Sequence, residues 1–203
     1  MPTLPESEIA ALLAPYLPNQ ASSTLYAQLS TYLDLLLKWN ARTNLTAIRD
    51  PHEIVRRHFG ESLFAAQYLA PGSTTLLDFG SGAGFPGLPI QLYHPHLAVT
   101  LAESQNKKAT FLREVIRTLG LKTEVWAARV ETMPPTRRFS TVTLRAVDDM
   151  AVALPAASSR IAPGGQLVIL TTTSAAPAAS NTVPLPNSQS GILSLQTFHV
   201  EHQ

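Results

Sequence analysis

The stretch Thr75-Leu76-Leu77-Asp78-Phe79-Gly80-Ser81-Gly82-Ala83-Gly84-Phe85-Pro86-Gly87 constrains the fold of this chain more than any other. Thr75 to Phe79 is a short apolar run that reads as a buried parallel strand. The glycines after it let the backbone turn sharply and lie close to whatever sits at the strand's carboxyl end. Pro86 suits the first turn of a helix, where its missing N–H is no loss. Strand, glycine turn and helix in that order are how an open α/β sheet builds a nucleotide site at its topological switch point.

Gly82-x-Gly84-x-x-Gly87 satisfies the dinucleotide fingerprint, which alone is a weak signal. Gly80 already stands at the strand end, and Asp78 places an acid inside it. A carboxylate facing the pocket would repel a pyrophosphate and attract the cationic methionine part of S-adenosyl-L-methionine. Val99 to Glu103 reads as the next strand, and Glu103 at its end can accept both ribose hydroxyls.

A 45% hydrophobic chain of 203 residues is long enough for one well-buried domain with an appendage. Without cysteine, disulfides, thiolate metal sites and cysteine nucleophiles are excluded, and no histidines stand at metal spacing. The first residues lack a basic and apolar leader and no apolar run reaches membrane-spanning length, so the expected location is the cytoplasm. The net charge is +1, but all 15 Lys and Arg precede Ile161 and only Glu201 follows as an acid. Any contact with a polyanion is expected on the first three quarters.

Residues 1 to 21 read as a proline-rich arm with a brief helix, Ile9 to Leu13. Leu25, Leu29, Tyr32, Leu33 and Leu36 predict a helix capped by Ser23 or Thr24 and running to about Trp39. A polar connector follows to Arg49. Asp50-Pro51-His52-Glu53 predicts a second start, with Glu53 reaching back to its cap, and a core face of Ile54, Val55, His58 and Phe59. Between Lys38 and Arg57 five basic residues accompany two acids, and Arg49, Arg56 and Arg57 are candidate RNA contacts. Beyond Glu103, Ser104 is a candidate cap for a helix carrying Phe111, Leu112, Val115, Ile116 and Leu119 and ended by Gly120; Lys107 and Lys108 begin it on the glycine-turn edge. Thr123 to Ala127 and Thr141 to Leu144 read as strands. Val130 and Glu131 can enclose an adenine, and Arg145-Ala146-Val147 forms a tip over the cofactor. A helix kinked at Pro155, a Pro163-Gly164-Gly165 turn and a strand Gln166 to Leu170 come next. Thr171 to Ser180 reads as a link. The end predicts a hairpin of Val183 to Leu185 with Ile192 to Val200.

Asn44-Leu45-Thr46 with Arg49-Asp50-Pro51, Arg57-His58-x-x-Glu61-Ser62, the glycine turn through Pro86-Gly87, Glu103-Ser104 with Lys107-Lys108 and Phe111-Leu112, Arg129-x-Glu131 and Arg145-Ala146 together resemble the RsmG (GidB) family over residues 25 to 170. Its members methylate N7 of a guanine in 16S ribosomal RNA. The resemblance implies an α/β, class I S-adenosylmethionine-dependent methyltransferase (Rossmann-like) fold. That is a mostly parallel seven-stranded sheet with helices on both faces and an antiparallel last strand. A small N-terminal helical extension (1–70) would pack as one unit with the methyltransferase domain (71–203). Carried over by position, it places Gly80, Phe85, Val130, Glu131 and Arg145 around the cofactor and Glu103 near the ribose; Asp78, Gly82 and Gly84 of the glycine turn complete the expected cofactor site. The implied partner is 16S ribosomal RNA or a small-subunit assembly intermediate, met by a monomeric protein.

The sequence departs from the family after Leu170, where a Leu-Lys-Gly segment and helix are replaced by Thr171-Thr172-Thr173. Either the RNA is engaged differently, or activity is impaired, or Lys107 and Lys108 supply the missing charge. Guanine N7 carries a lone pair and no proton, so the reaction needs alignment rather than a base. Asp78 and Arg145 are the candidates for a catalytic contribution, Asp78 by stabilising the charge that moves from sulfur to purine, and Phe85 or Trp39 could stack on the target base. A methyltransferase for small molecules and an NAD-binding oxidoreductase are the alternative readings.

Overall fold

The structure, a computed structural model, describes residues 2–19, 21–145, 149–177 and 180–198. Ala146 and Val147 of the expected tip, and the expected strand residue Val200, lie outside them.

The first helix, α1 (Glu6–Leu13), buries Ile9 and Leu13. The second, α2 (Ser23–Thr43), is capped by Ser22, whose side chain accepts from the Leu25 amide, one residue ahead of the expected caps. It also runs past Trp39. Asn40 is buried there and its amide bonds both ways with Thr46, so the connector's polar residues satisfy each other. Asn44, in a left-handed conformation, ends the helix.

Asp50 caps α3 (Pro51–Glu53) by accepting from the Glu53 amide at 2.9 Å. The Glu53 side chain does not reach back; Arg56 holds it at 2.9 Å. A π-helical segment, Ile54–Gly60, leads directly into α4 (Glu61–Ala66). The wider turn puts Ile54, Val55 and Phe59 fully inside, with His58 beside them.

Then come β1 (Thr75–Phe79), α5 (Gly87–Tyr93), β2 (Ala98–Ala102), α6 (Asn106–Leu119), β3 (Glu124–Trp126), a 3-10 turn Val130–Thr132 and β4 (Phe139–Arg145). After these follow α7 (Met150–Ser158), β5 (Ile161–Thr172), a 3-10 turn Thr173–Ala175, β6 (Asn181–Pro184) and β7 (Gly191–Thr197). Pro86 caps α5 rather than opening it. Ser104 does not cap α6. The Glu103 carboxylate accepts from the Gln105 amide instead, at 2.7 Å. Gly120 ends α6 in a left-handed conformation.

The seven strands lie in the order β3-β2-β1-β4-β5-β7-β6, all parallel except β7, which pairs antiparallel with both neighbours. This is the expected class I arrangement. Two sequence readings change. The Pro163-Gly164-Gly165 turn is a register shift within the β4–β5 pairing, so β5 begins at Ile161. Thr171 and Thr172 belong to β5, because Ile192 and Gly191 of β7 pair with them, and a sheet partner outweighs a composition that reads as link. The β5-to-β6 crossover has only the 3-10 turn among its described residues.

Alternate strand residues face opposite layers. Leu76, Val99 and Leu101 join Ile9, Leu29, Leu33, Phe59, Leu63, Leu88 and Phe111 in one apolar cluster, so the N-terminal helices and the sheet share a core. Leu77, Val142, Leu144, Leu167 and Ile169 face α7. Each such buried side chain contributes roughly 1.5–3 kcal/mol relative to exposure. No helix among the described residues is long and apolar enough to cross a membrane.

Candidate active site

Gly80 follows β1 with φ +71°, and a side chain built on it would meet nothing within 4 Å. It opens onto a cleft of about 160 Å³ lined by Phe79, Gly80, Ala102, Ser104, Val130 and Glu131, at the carboxyl ends of β1 and β2. The turn is held by its own backbone: the Ser81 amide donates to Ala102 O, and Gly84 donates to Ser81 O at 2.7 Å. The Gly82 amide donates to Glu103 Oε2 at 2.9 Å. Glu103 is buried and clamps the turn to α6 through its two oxygens. A carboxylate has about four acceptor positions, so two remain for a ribose.

Asp78 does not face the cleft as the sequence reading expected. It is fully buried, with Oδ2 accepting from the Gly87 amide at 3.1 Å and Oδ1 from the Thr143 hydroxyl at 2.8 Å. A side chain at Gly87 would come within 2.8 Å of Asp78 Cβ, so glycine there lets α5 close over the carboxylate. Burial raises the Asp78 pKa to about 6, against the lowering effect of the Thr143, Ser81 and Gly87 hydrogen bonds and of Arg145. Its direct role is to pin the turn.

Of the two candidate aromatics, Phe85 offers no face to a base. Phe85 is sandwiched between His58, with centroids 4.7 Å apart, and Tyr32, at 5.5 Å, while the Tyr32 hydroxyl donates to Ala83 O. Phe85 therefore packs behind the turn. Trp39 packs edge-on to Phe111 and donates to Glu114 at 3.0 Å. His58 behaves as a core histidine: Nε2 lies 2.8 Å from Thr46 Oγ1, and burial, then Arg145 and Arg57, lower its pKa to about 3. It is neutral at physiological pH.

Arg145, at the end of β4, donates to Glu61 Oε2 at 2.7 Å and to Arg57 O at 2.8 Å, with His58 O at 3.5 Å. It ties the π-helical segment to the sheet. A second cavity of about 470 Å³ opens beside it, lined by Arg57, His58, Glu61, Arg145, Met150 and Leu170 together with Leu185, Ser188 and Ser190 of the β6–β7 turn. Sequence reading gave Glu61 no role, because its arginine lies 84 positions away. It also passed over Arg160, buried against Val130 O at 3.1 Å and Pro134 O at 2.7 Å behind the cleft. Its one local signal was an arginine in an otherwise apolar stretch.

The candidate RNA contacts differ in freedom. Arg49 is pinned to Asn40 O at 2.6 Å and Asn44 Oδ1 at 2.7 Å, and Arg56 to Glu53. Arg57 is 60% exposed with Glu61 3.8 Å away. Lys107 is exposed, and neither it nor Lys108 has an ion-pair partner among the described residues.

The cleft suits the adenosine of S-adenosylmethionine: Gly80 leaves space that a Cβ would fill, apolar Phe79, Ala102 and Val130 can sandwich a purine, and Glu103 retains acceptor capacity at the ribose end. The solved Thermus thermophilus 16S rRNA N2 methyltransferase RsmC, in complex with AdoMet and guanosine, superposes with TM-score 0.55 at 19% identity, covering 68% of this chain and 43% of that one. An O-methyltransferase family protein from Burkholderia thailandensis gives 0.55 at 14% identity, covering 89% and 73%. These share the fold. By sequence, the chain is 40% identical over 165 residues to ribosomal RNA small subunit methyltransferase G of Xanthomonas campestris pv. campestris, covering 80% of this chain and 77% of the relative. It is 40% identical over 168 residues to that of Stenotrophomonas maltophilia, covering 82% and 78%. The family model described as rRNA small subunit methyltransferase G (GidB) matches residues 25–193, and the chain belongs to that family.

Proposed function

We propose that this protein transfers a methyl group from S-adenosylmethionine to N7 of a guanine in 16S ribosomal RNA, on the small subunit or an assembly intermediate of it. The family match over residues 25–193 carries the reading, and the open Gly80 cradle beside β2 supports it. When bound, S-adenosylmethionine supplies an electrophilic methyl group. Gly80, Phe79 and Val130 hold the adenosine, Glu103 accepts from the ribose, and Glu131 stands at the mouth. Gly82, Gly84, Phe85 and Asp78 act one step behind, fixing the turn. N7 carries no proton, so no base is required, which agrees with a histidine held neutral near the site and an acid turned away from it. Catalysis then rests on alignment and on excluding water. Arg57, Lys107 and Lys108 contact phosphates, while Arg49 and Arg56 shape the polar connector next to them.

Digests of 16S RNA from cells with and without the gene, read by mass spectrometry, should differ by one 7-methylguanosine; an identical content of that nucleoside in both would end the proposal.

A further inference from the structure

The cavity between the π-helical segment, β4 and the β6–β7 turn has a specific chemical demand. Arg145 at its floor directs N–H groups at Arg57 O, His58 O and Glu61 Oε2. Glu61 adds an acceptor. Glu61 is held by Arg145 through Oε2, while Oε1 accepts no hydrogen bond among the described residues, the nearest cation being Arg57 Nε at 3.8 Å. The side chain is 10% exposed and lines the cavity. Glu61 is also the one acid lining this cavity among the described residues. A buried carboxylate with unfilled acceptor positions calls for a ligand edge made of donors. Around it Ile48, Met150, Leu170 and Leu185 supply apolar walls suited to a flat ring.

We infer that Glu61 reads the Watson–Crick edge of the target guanine and so sets the enzyme's base specificity, an inference that rests on the guanine-N7 reading above. Guanine presents two adjacent donors there, N1–H and N2–H₂, spaced to meet the two oxygens of one carboxylate, whereas adenine presents an acceptor at N1. With that edge against Glu61, N7 lies on the far side of the ring. It is then left open to the methyl donor. Reading a single base this way requires it to leave its stack, and Arg57 at the rim can take the flanking phosphate.

Wild-type enzyme and Glu61→Gln are compared on small subunits rebuilt with guanine or inosine at the methylated position. Inosine keeps N7, O6 and N1–H and lacks only the N2 amine. Wild type should favour guanine by roughly 10–100-fold in kcat/KM, the value of one good edge contact. Glu61→Gln replaces one acceptor by a donor, so the preference should fall to within about threefold, with the S-adenosylmethionine Kd changed by less than about twofold. Glu61→Asp, which keeps the charge and the arginine partner, should retain a guanine preference and covers the case of a Gln variant that does not fold. Equal use of inosine by wild type, or an undiminished guanine preference in a folded Glu61→Gln, overturns this inference while leaving N7 methylation in place. If wild type binds S-adenosylmethionine and leaves the guanine subunits unmethylated, the parent reading falls and this inference with it.

Discussion

The two ends of the sheet's carboxyl edge are built by different means. Over β1 and β2 the site is made of backbone: a left-handed Gly80, amides held by Ser81 and Glu103, and a strand end that leaves an open cleft. Over β4 and β5 it is made of side chains from distant segments, with Arg145 of β4 meeting Glu61 and the carbonyls of Arg57 and His58. The first arrangement is fixed chiefly by local backbone conformation, backed by Tyr32 of α2 donating to Ala83 O. The second exists only when the N-terminal helices are docked on the sheet, so the proposed base recognition and fold integrity share the same contacts there.

Breaking the side-chain end should have the largest effect on the fold. Arg145→Met leaves Glu61 buried without its partner and two carbonyls without a donor, and should cost about 3–5 kcal/mol in urea unfolding; a loss below about 1 kcal/mol would mean the two ends do not differ in this way. The backbone end should respond in the opposite sense. Gly80→Ala strains a left-handed position by about 1–2 kcal/mol and projects a methyl group into the cleft. Calorimetry should show S-adenosylmethionine affinity reduced at least about 100-fold, equivalent to about 2.7 kcal/mol, in a protein that still folds. Unchanged affinity would remove the cofactor from that cleft.

The smallest effect is pH-dependent. His58 has a folded pKa of about 3, below its ordinary 6.5, so between those values the unfolded chain binds the extra proton. Its contribution is therefore complete above pH 6.5 and is lost as pH falls toward 3, at about 1.4 kcal/mol per unit. His58→Gln should flatten the stability profile by about 2 kcal/mol between pH 6.5 and 5 relative to wild type. Parallel profiles would show that His58 is not held neutral. Asp78 works in the reverse direction: with a pKa raised from 3.8 to about 6, its burial costs most above pH 6 and is relieved as pH falls through that range.

The strand-turn-helix at Thr75 to Gly87, the core face of α6 and the closing hairpin were legible because their signals lie within a few residues of each other: an apolar run, clustered glycines, 3.6-residue spacing, alternation. Errors fell where a remote partner decided the outcome. Thr171 and Thr172 read as link until β7 supplied a neighbour, and Phe85 read as a candidate to stack on the target base although Tyr32 and His58 stack on it. The π-helical widening of Ile54–Gly60 had no local mark either, since it is secured by Arg145 from 84 to 88 positions away.

The amino-acid order alone determined the place of the glycine turn and the acid at the end of β2. It also determined the family, through motifs separated along the chain, and through that resemblance the expected class I topology. Only the tertiary structure decided which carboxylate is locked and which remain able to accept. Asp78 is buried against the Gly87 amide and the Thr143 hydroxyl, while Glu103 keeps acceptor positions at the cleft and Glu61, remote in sequence, lines a second cavity. The reason is geometric. A residue's type fixes its chemistry, but the direction in which it points depends on which strand and helix pack beside it, and those neighbours come from elsewhere in the chain.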